Sequence, residues 1–412
     1  MRFQLRAAIV AAVLALFSPP VQAEPFTLDE AIRRASEAAP LLQAGDAAIS
    51  AARAGARQAN VRPNPSLSVE GENLIGTGPY RVLRQSEVSV IYSQPFERGG
   101  KRAARVALAQ QDIGVAEASA RIARLDLAAA VQRAYIDVQI TDFAARISDE
   151  RLDTETQMQR EALRRVRGYK DPLFVETRAA ARVAQARLGR DEAHARQRNA
   201  RNHLASFWAG SGADLQLADG LTLTNAKSVT IAPADQALRE AEIARARASV
   251  VVEQSRASQD YTLSGGARYL RETGDIALLA GVTIPLGRFD RNQGNIARAQ
   301  AERQRREFLA AADRLEKRRR LASLSADADA ARTRADAIMG QVYPRTVRTL
   351  EQVREGYNRG GFNFRDMQDA ADAILEVQDQ WLAAITRFRD TQTEIDRLTG
   401  RFDAAMPVET TP

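Results

Sequence analysis

From Lys101 to about Arg167 the chain carries no proline and a single glycine, Gly114. Within that stretch Leu108, Val115, Ile122, Ala129, Ile136 and Phe143 recur at intervals of seven. A sustained period of seven keeps an apolar stripe on one side of a helix and calls for lateral packing against other helices. At 1.5 Å per residue, a helix of about 65 residues is roughly 100 Å long. An ordinary globular domain has no use for such a rod, so this stretch constrains the fold more than any other.

The rod is expected to reverse at Gly168-Tyr169-Lys170-Asp171-Pro172. A returning helix is predicted from about Val175 to Trp208, with Ala179, Ala186, Ala193, Ala200 and Phe207 again at heptad spacing. Upstream, Thr27-Leu28-Asp29-Glu30 has the form of a capping box and opens a helix expected to run to about Asn60, where Pro63 and Pro65 end it. Between that helix and the rod lie two strand-like segments, about 64–75 and 83–96. In the first, Leu67 and Val69 alternate with Ser66, Ser68 and Glu70. In the second, Val88, Val90 and Tyr92 alternate with Glu87, Ser89 and Ser93, with Ile91 as the exception. Gly76, Gly78 and Pro79 supply the connection.

The same order then returns. Asp235-Gln-Ala-Leu-Arg239 echoes Asp29-Glu-Ala-Ile-Arg33 at the head of a helix. Strand-like segments follow at about 260–271 and 276–286, the second with Leu278, Ala280, Val282 and Ile284 on one face. Gln94-Pro95 closes the earlier strand pair and Ile284-Pro285 the later one. A long helix runs from about 295 to Arg354, with Pro344 as an expected kink. Gly356-Tyr357 matches Gly168-Tyr169 at the reversal, and Ile374, Trp381, Phe388 and Ile395 carry the last helix at heptad spacing. The organisation is therefore an internal duplication, mainly α with a small β part. The first repeat spans 24–209 with its helical hairpin at about 101–208. A connection at 210–232, a second repeat at 233–400 with its hairpin at about 295–399, and a tail at 401–412 complete it.

Residues 1–23 read as a secretory signal peptide. Arg2 and Arg6 form a basic start, Ala7 to Phe17 is apolar, Pro19 and Pro20 break it, and Val21-Gln22-Ala23 suits cleavage. Its removal lowers the formal net charge from +7 to +5, because Arg2 and Arg6 go with it. No later segment is apolar for long enough to cross a membrane as a helix. Cysteine is absent, which removes disulfides, thiolate metal sites and a lipidated cysteine together. The charge is basic but interleaved with acids, so a solvated helical surface explains it and nucleic-acid binding is not expected, even at the run Arg314–Arg320. The two histidines, His194 and His203, are nine residues apart and fall on opposite faces of one helix. No metal-ligand set follows from them, and no cofactor. Gly99-Gly100-Lys101 lacks the upstream glycine of a phosphate loop, and no nucleophile–base arrangement is legible. The chain does not read as an enzyme.

The four amphipathic strands have the length of outer-membrane barrel strands, yet four strands cannot close a barrel. Unpaired strand edges are not tolerated in lipid, so either the sheet sits in water or several chains pool their strands. The self-consistent answer is a homo-oligomer whose order the strand count leaves open.

Over its whole mature length the chain resembles the TolC-like outer-membrane efflux family. Gly356-Tyr357, Gly360, Asp366, Asp369-Ala370 and Leu398-Thr399-Gly400 match the family pattern without gaps. Asn64-Pro65-Ser66-Leu67 and Phe289-Asp-Arg-Asn-Gln-Gly-Asn295 resemble its heavy-metal, CzcC-like branch. The resemblance implies a homotrimer in the outer membrane of a Gram-negative bacterium. Each protomer would give four strands to a 12-stranded barrel in outer-membrane lipid, continued by an α-helical periplasmic tunnel. It implies as partners a periplasmic adaptor (membrane fusion) protein and an inner-membrane RND-type pump. The two helical turns, with Gly168, Gly356, Gly360 and Gly361, would sit at the tunnel's inner mouth. Asp366 and Asp369 would line its constriction, and Glu176 and Tyr357 are candidates for a gate latch. Phe362 departs from the family, whose best-known members carry an arginine of the latch there. The implied function is a passive duct for heavy-metal cations. A duct for drugs or secreted polypeptides, and a soluble periplasmic coiled-coil scaffold, are the other readings.

Overall fold

The computed structural model describes residues 26–213, 215–218 and 231–403. The signal segment 1–23, much of the 210–232 connection and the tail beyond 403 lie outside the described residues. Helix α1 (Leu28–Ala38) starts with the Glu30 N–H donating to Thr27 Oγ1 at 3.3 Å. That is half of the expected capping box, because the Glu30 carboxylate turns to Arg33 and Arg34 instead. The expected single helix to Asn60 is two helices, with α2 at Pro40–Ala59. Pro40 has no N–H to donate and pushes Ala39 out of helical geometry, to φ −77° and ψ 112°.

After β1 (Ser66–Glu72) and β2 (Glu87–Phe96) comes α3 (Lys101–Arg167), 67 residues without a break. It is followed by α4 (Phe174–Ser206), α5 (Pro233–Arg256), β3 (Tyr261–Leu270) and β4 (Asp275–Thr283). The second long helix is α6 (Gln293–Ala337), which passes through a π-helical turn at Ile338–Val342 into α7 (Tyr343–Arg359). The expected irregularity at Pro344 is thus taken up in the preceding turn, where the wider ring accommodates the missing N–H. The last helix, α8, is Phe364–Thr399.

The two strand pairs form one antiparallel sheet in the order β1-β2-β3-β4. The register lines up Leu67, Tyr92, Gly265 and Ala280 in one row, and Val69, Val90, Ala267 and Leu278 in the next. A third row holds Gly71, Val88, Tyr269 and Ile276. These rows share a face and are widely exposed, Leu278 at 88%. The opposite face carries Ser66, Ser93 and Ser264 in one row and Glu70, Ser89 and Arg268 in another. β1 and β2 run shorter than their sequence signals: Asn73, at positive φ, begins the connecting loop at 73–86, and Leu83, also at positive φ, sits in a turn within it.

The chain divides into two compact units. One takes, of the described residues, 39–129, 231–329 and 391–403, and contains the sheet. In it Asp235 at the head of α5 accepts from Lys317 Nζ and Arg397 Nη1, both at 2.8 Å. Burial pushes the Asp235 carboxyl up, but the two cations outweigh it and hold it below the usual range. The other unit takes, of the described residues, 26–38, 130–213, 215–218 and 330–390, and contains both helical turns. Its core includes Ala335, Ala384 and Ile385 with Trp381 against them, and the rings of Phe143 and Trp381 lie 4.7 Å apart. Alanine at helix contacts lets backbones approach closely, which is why so alanine-rich a chain can still pack densely.

Candidate functional site: the paired helical turns

The turn after α3 forms by three short-range hydrogen bonds: Gly168 N–H to Arg164 O, Tyr169 N–H to Val166 O and Lys170 N–H to Arg165 O. Tyr169 takes φ 55° and is 98% exposed. The turn after α7 ends in a Schellman arrangement. Gly360 has φ 85°, its N–H donates to Tyr357 O at 3.0 Å, and Gly361 N–H donates to Gly356 O at 2.9 Å. Gly356 is required for a different reason: the Phe362 ring lies over it, and a Cβ there would stand 2.2 Å from Phe362 Cδ2. Phe362 therefore serves as a cover for the turn.

Between the turns lies a small core of Met158, Ala162, Val175, Ala179, Tyr357, Phe364, Met367 and Ala371. Tyr357 is fully buried within it, on the helix leading into the second turn. Its hydroxyl donates to Asp171 Oδ2 at 2.9 Å. Arg165, from the first hairpin, grips the same Asp171 bidentately at 2.9 and 3.1 Å and donates to the Tyr357 carbonyl at 2.7 Å. Its guanidinium carbon also stands 4.2 Å from the Tyr357 ring centroid. Arg165 thus ties the first turn to the second through two kinds of contact, the hydrogen bond to the Tyr357 carbonyl and the stacking on its ring, while it also holds Asp171 in place for the Tyr357 hydroxyl. The Arg165 hydrogen bonds hold the Asp171 carboxyl below the usual carboxylate range; burial opposes this, and the Tyr357 hydroxyl adds to it. Burial and then the Asp171 carboxylate raise the Tyr357 hydroxyl above its ordinary value, so it remains a donor at physiological pH.

Two further ion pairs join the hairpins above this layer. Arg354 of α7 reaches Glu161 of α3 at 2.6 Å. Arg182 of α4 is bound to the buried Glu155 of α3 at 2.9 Å and also to Asp372 of α8. Sequence reasoning named Tyr357 here but not Arg165, Asp171, Arg182 or Arg354. The available signal was Asp171-Pro172 in the first turn with an arginine six positions before it.

Asp366 and Asp369 open α8. Asn363 caps the helix, its Oδ1 accepting from the N–H groups of Arg365 and Asp366 at 2.8 and 3.0 Å. Asp366 Oδ2 accepts from the Asn363 N–H at 2.8 Å, completing a reciprocal box. Asp366 is half-buried, whereas Asp369 is exposed, with Arg365 3.9 Å away. Glu176 lies in the first turn of α4, and no side-chain partner is found for it among the described residues. The acid that meets Tyr357 is Asp171.

Among the described residues no group of three His, Asp or Glu side chains is arranged to hold a metal ion. His194 contacts Asp149 at 3.0 Å and Gln197 at 3.2 Å, while His203 packs on Phe207. Among the described residues no helix is long and apolar enough to cross a membrane.

The pattern of the outer membrane efflux protein family matches residues 31–210. The cobalt-zinc-cadmium resistance protein CzcC of Cupriavidus metallidurans is 30% identical over 397 residues, covering 93% of this chain and 92% of that protein. Among solved structures, the outer-membrane channel OprN superposes with a TM-score of 0.76 at 17% identity, covering 90% of this chain and 89% of that one. The outer membrane protein VceC of Vibrio cholerae superposes at 0.73 with 19% identity, covering 90% and 95%. These structures share the fold, and the full-length relative shares the sequence through both halves. The chain belongs to the outer membrane efflux protein family.

Proposed function

We propose that three copies of this chain form the outer-membrane channel of a tripartite efflux system that exports heavy-metal cations. The observation that carries the channel reading is the sheet. It has two open edges, one face of exposed apolar side chains and one polar face, and four strands cannot close by themselves. Three such sheets joined edge to edge make a 12-stranded barrel with the apolar rows against lipid and the polar rows lining the lumen. The helices then continue the lumen into the periplasm, and the paired turns become its inner mouth. Likeness to a cobalt-zinc-cadmium resistance protein over 93% of the chain supports the cargo.

In this reading Asp366 and Asp369 from three protomers form a ring of six carboxylates that attracts cations. Arg165, Asp171 and Tyr357 hold the two hairpins of each protomer together, and the mouth opens when these ties break and the helix ends splay. Glu176, in the first turn of α4, is a further candidate for the latch at this mouth. The channel performs no chemistry on its cargo; an adaptor protein and an inner-membrane, proton-driven pump of the RND type supply selection and energy.

The test is a deletion strain complemented with the gene. The protein should appear as a heat-modifiable trimer in the outer-membrane fraction, and its loss should sensitise cells to zinc, cobalt or cadmium. Sensitivity to dyes and antibiotics with unchanged metal tolerance would replace the cargo. Recovery as a soluble periplasmic protein would overturn the channel.

A further inference from the structure

The described strands contain four acids, Glu70, Glu72, Glu87 and Asp275, and Arg268 is their one cation. All five fall on the polar face, because Glu70, Ser89 and Arg268 share one row and Glu72, Glu87 and Asp275 share the row that passes through Leu270. Arg268 lies on β3, yet its guanidinium reaches the neighbouring β2 and, across it, β1. Nε donates to Ser89 Oγ at 3.0 Å, Nη1 donates to Glu87 Oε2 at 2.8 Å, and the same nitrogen stands 3.3 Å from Glu72 Oε2. Glu72 ends β1, Glu87 begins β2, and Arg268 is two residues from the end of β3. The cluster is therefore beside the hairpin loops, at the strand ends opposite those that lead to α3 and α6.

Resting on the channel reading above, this polar face lines the lumen and the cluster lies at its outer end. Two carboxylates converging on one cation form the oxygen donor set that divalent cations favour. A conduit has to let its cargo leave, so binding along the path must stay weak. We propose that Arg268 is a built-in counter-ion. It occupies Glu72 and Glu87 so that exported divalent cations pass the outer end of the barrel without being held there. The remaining acids, Glu70 and Asp275, keep the lumen attractive to cations overall.

The test uses purified wild-type trimers in planar bilayers, with zinc or cobalt added on the outer side. Replacing the guanidinium in Arg268→Gln frees two carboxylates per protomer, and the half-blocking concentration should fall by roughly tenfold or more. Arg268→Lys keeps the charge and should restore it to within about threefold of wild type. The triple variant Arg268→Gln/Glu72→Gln/Glu87→Gln should abolish the added block. Separately, Glu72→Gln/Glu87→Gln leaves Arg268 unpaired and should move the reversal potential toward anions. A channel of normal conductance whose half-blocking concentration is unchanged in Arg268→Gln would overturn the inference, as would an unmoved reversal potential in the paired glutamate variant. A wild-type protein that conducts nothing would overturn the channel reading as well.

Discussion

Replacing Arg165 by methionine keeps the bulk of the side chain on Tyr357 but removes its charge. The variant loses both hydrogen bonds to Asp171, the one to the Tyr357 carbonyl, and the stacking of the guanidinium on the ring. A hydrogen bond to a charged group is worth about 1.5–3 kcal/mol, and these groups are largely buried, with side-chain exposures of 17% for Arg165 and 12% for Asp171. Losing the tie should therefore shift the balance toward separated hairpins by about 2–4 kcal/mol per protomer, a factor of roughly 30 or more. Tyr357→Phe removes only the hydroxyl contact at 2.9 Å and should do about a third as much. Single-channel recording at neutral pH reads this as raised conductance, graded from wild type through Tyr357→Phe to Arg165→Met. Acid should act on the same tie. The Asp171 carboxyl is depressed in the folded state, so its contribution is complete above the ordinary carboxylate value and disappears as pH falls through the lowered one. Wild-type conductance should stay flat from about pH 8 to 5 and rise below about pH 4, whereas Asp171→Asn should be raised already and lose that response. Equal conductance in wild type and Arg165→Met, with both trimers intact, would refute the assignment of the tie to gating.

The second turn and the sheet offer two independent checks. Gly360→Ala forces a side chain into φ 85° and should lower the thermal dissociation temperature of the trimer by the equivalent of about 1 kcal/mol. Gly356→Ala should also lower it, because the Phe362 ring must swing away from the new methyl. Val90→Lys places a charge in an apolar row of the sheet and should cost about 2–4 kcal/mol at the bilayer midplane, cutting the yield of heat-modifiable trimer. Ser93→Lys, on the opposite face, should leave that yield near wild type, and equal yields from both variants would contradict the sidedness of the sheet.

The long helices were readable because seven-residue spacing is a local property: Leu108 through Phe143 announce the stripe that buries them. The strand pairs were readable for the same reason, from Leu67 and Val69 in one and Leu278 to Ile284 in the other. Their union into one sheet with β2 beside β3 was not, since nothing local in Val90 declares its pairing with Ala267. Pro40 carried a signal that the expected helix to Asn60 overlooked, and Pro344 was placed near the right irregularity without its π-helical form. The turn site divides similarly. Gly360 and the acids at the start of α8 follow from capping chemistry, and Tyr357 from the matching turns. Asp171 as its partner depends on how one hairpin meets the other, a register that no single segment encodes. Asp366 shows the limit of pattern alone, because its carboxylate is engaged with the Asn363 N–H as a helix cap whatever else it does.

That double duty makes the acid pair the most direct test of the central claim, that the paired turns form a cation-attracting mouth. The measurement is the reversal potential and the block by divalent cations added on the periplasmic side, for wild type, Asp366→Asn, Asp369→Asn and the double variant. Asp369→Asn should weaken cation preference and block without disturbing the turn. The double variant should weaken both further, with Asp366→Asn also losing about 1 kcal/mol of helix capping. Unchanged selectivity and block in a double variant that still forms conducting trimers would contradict the account.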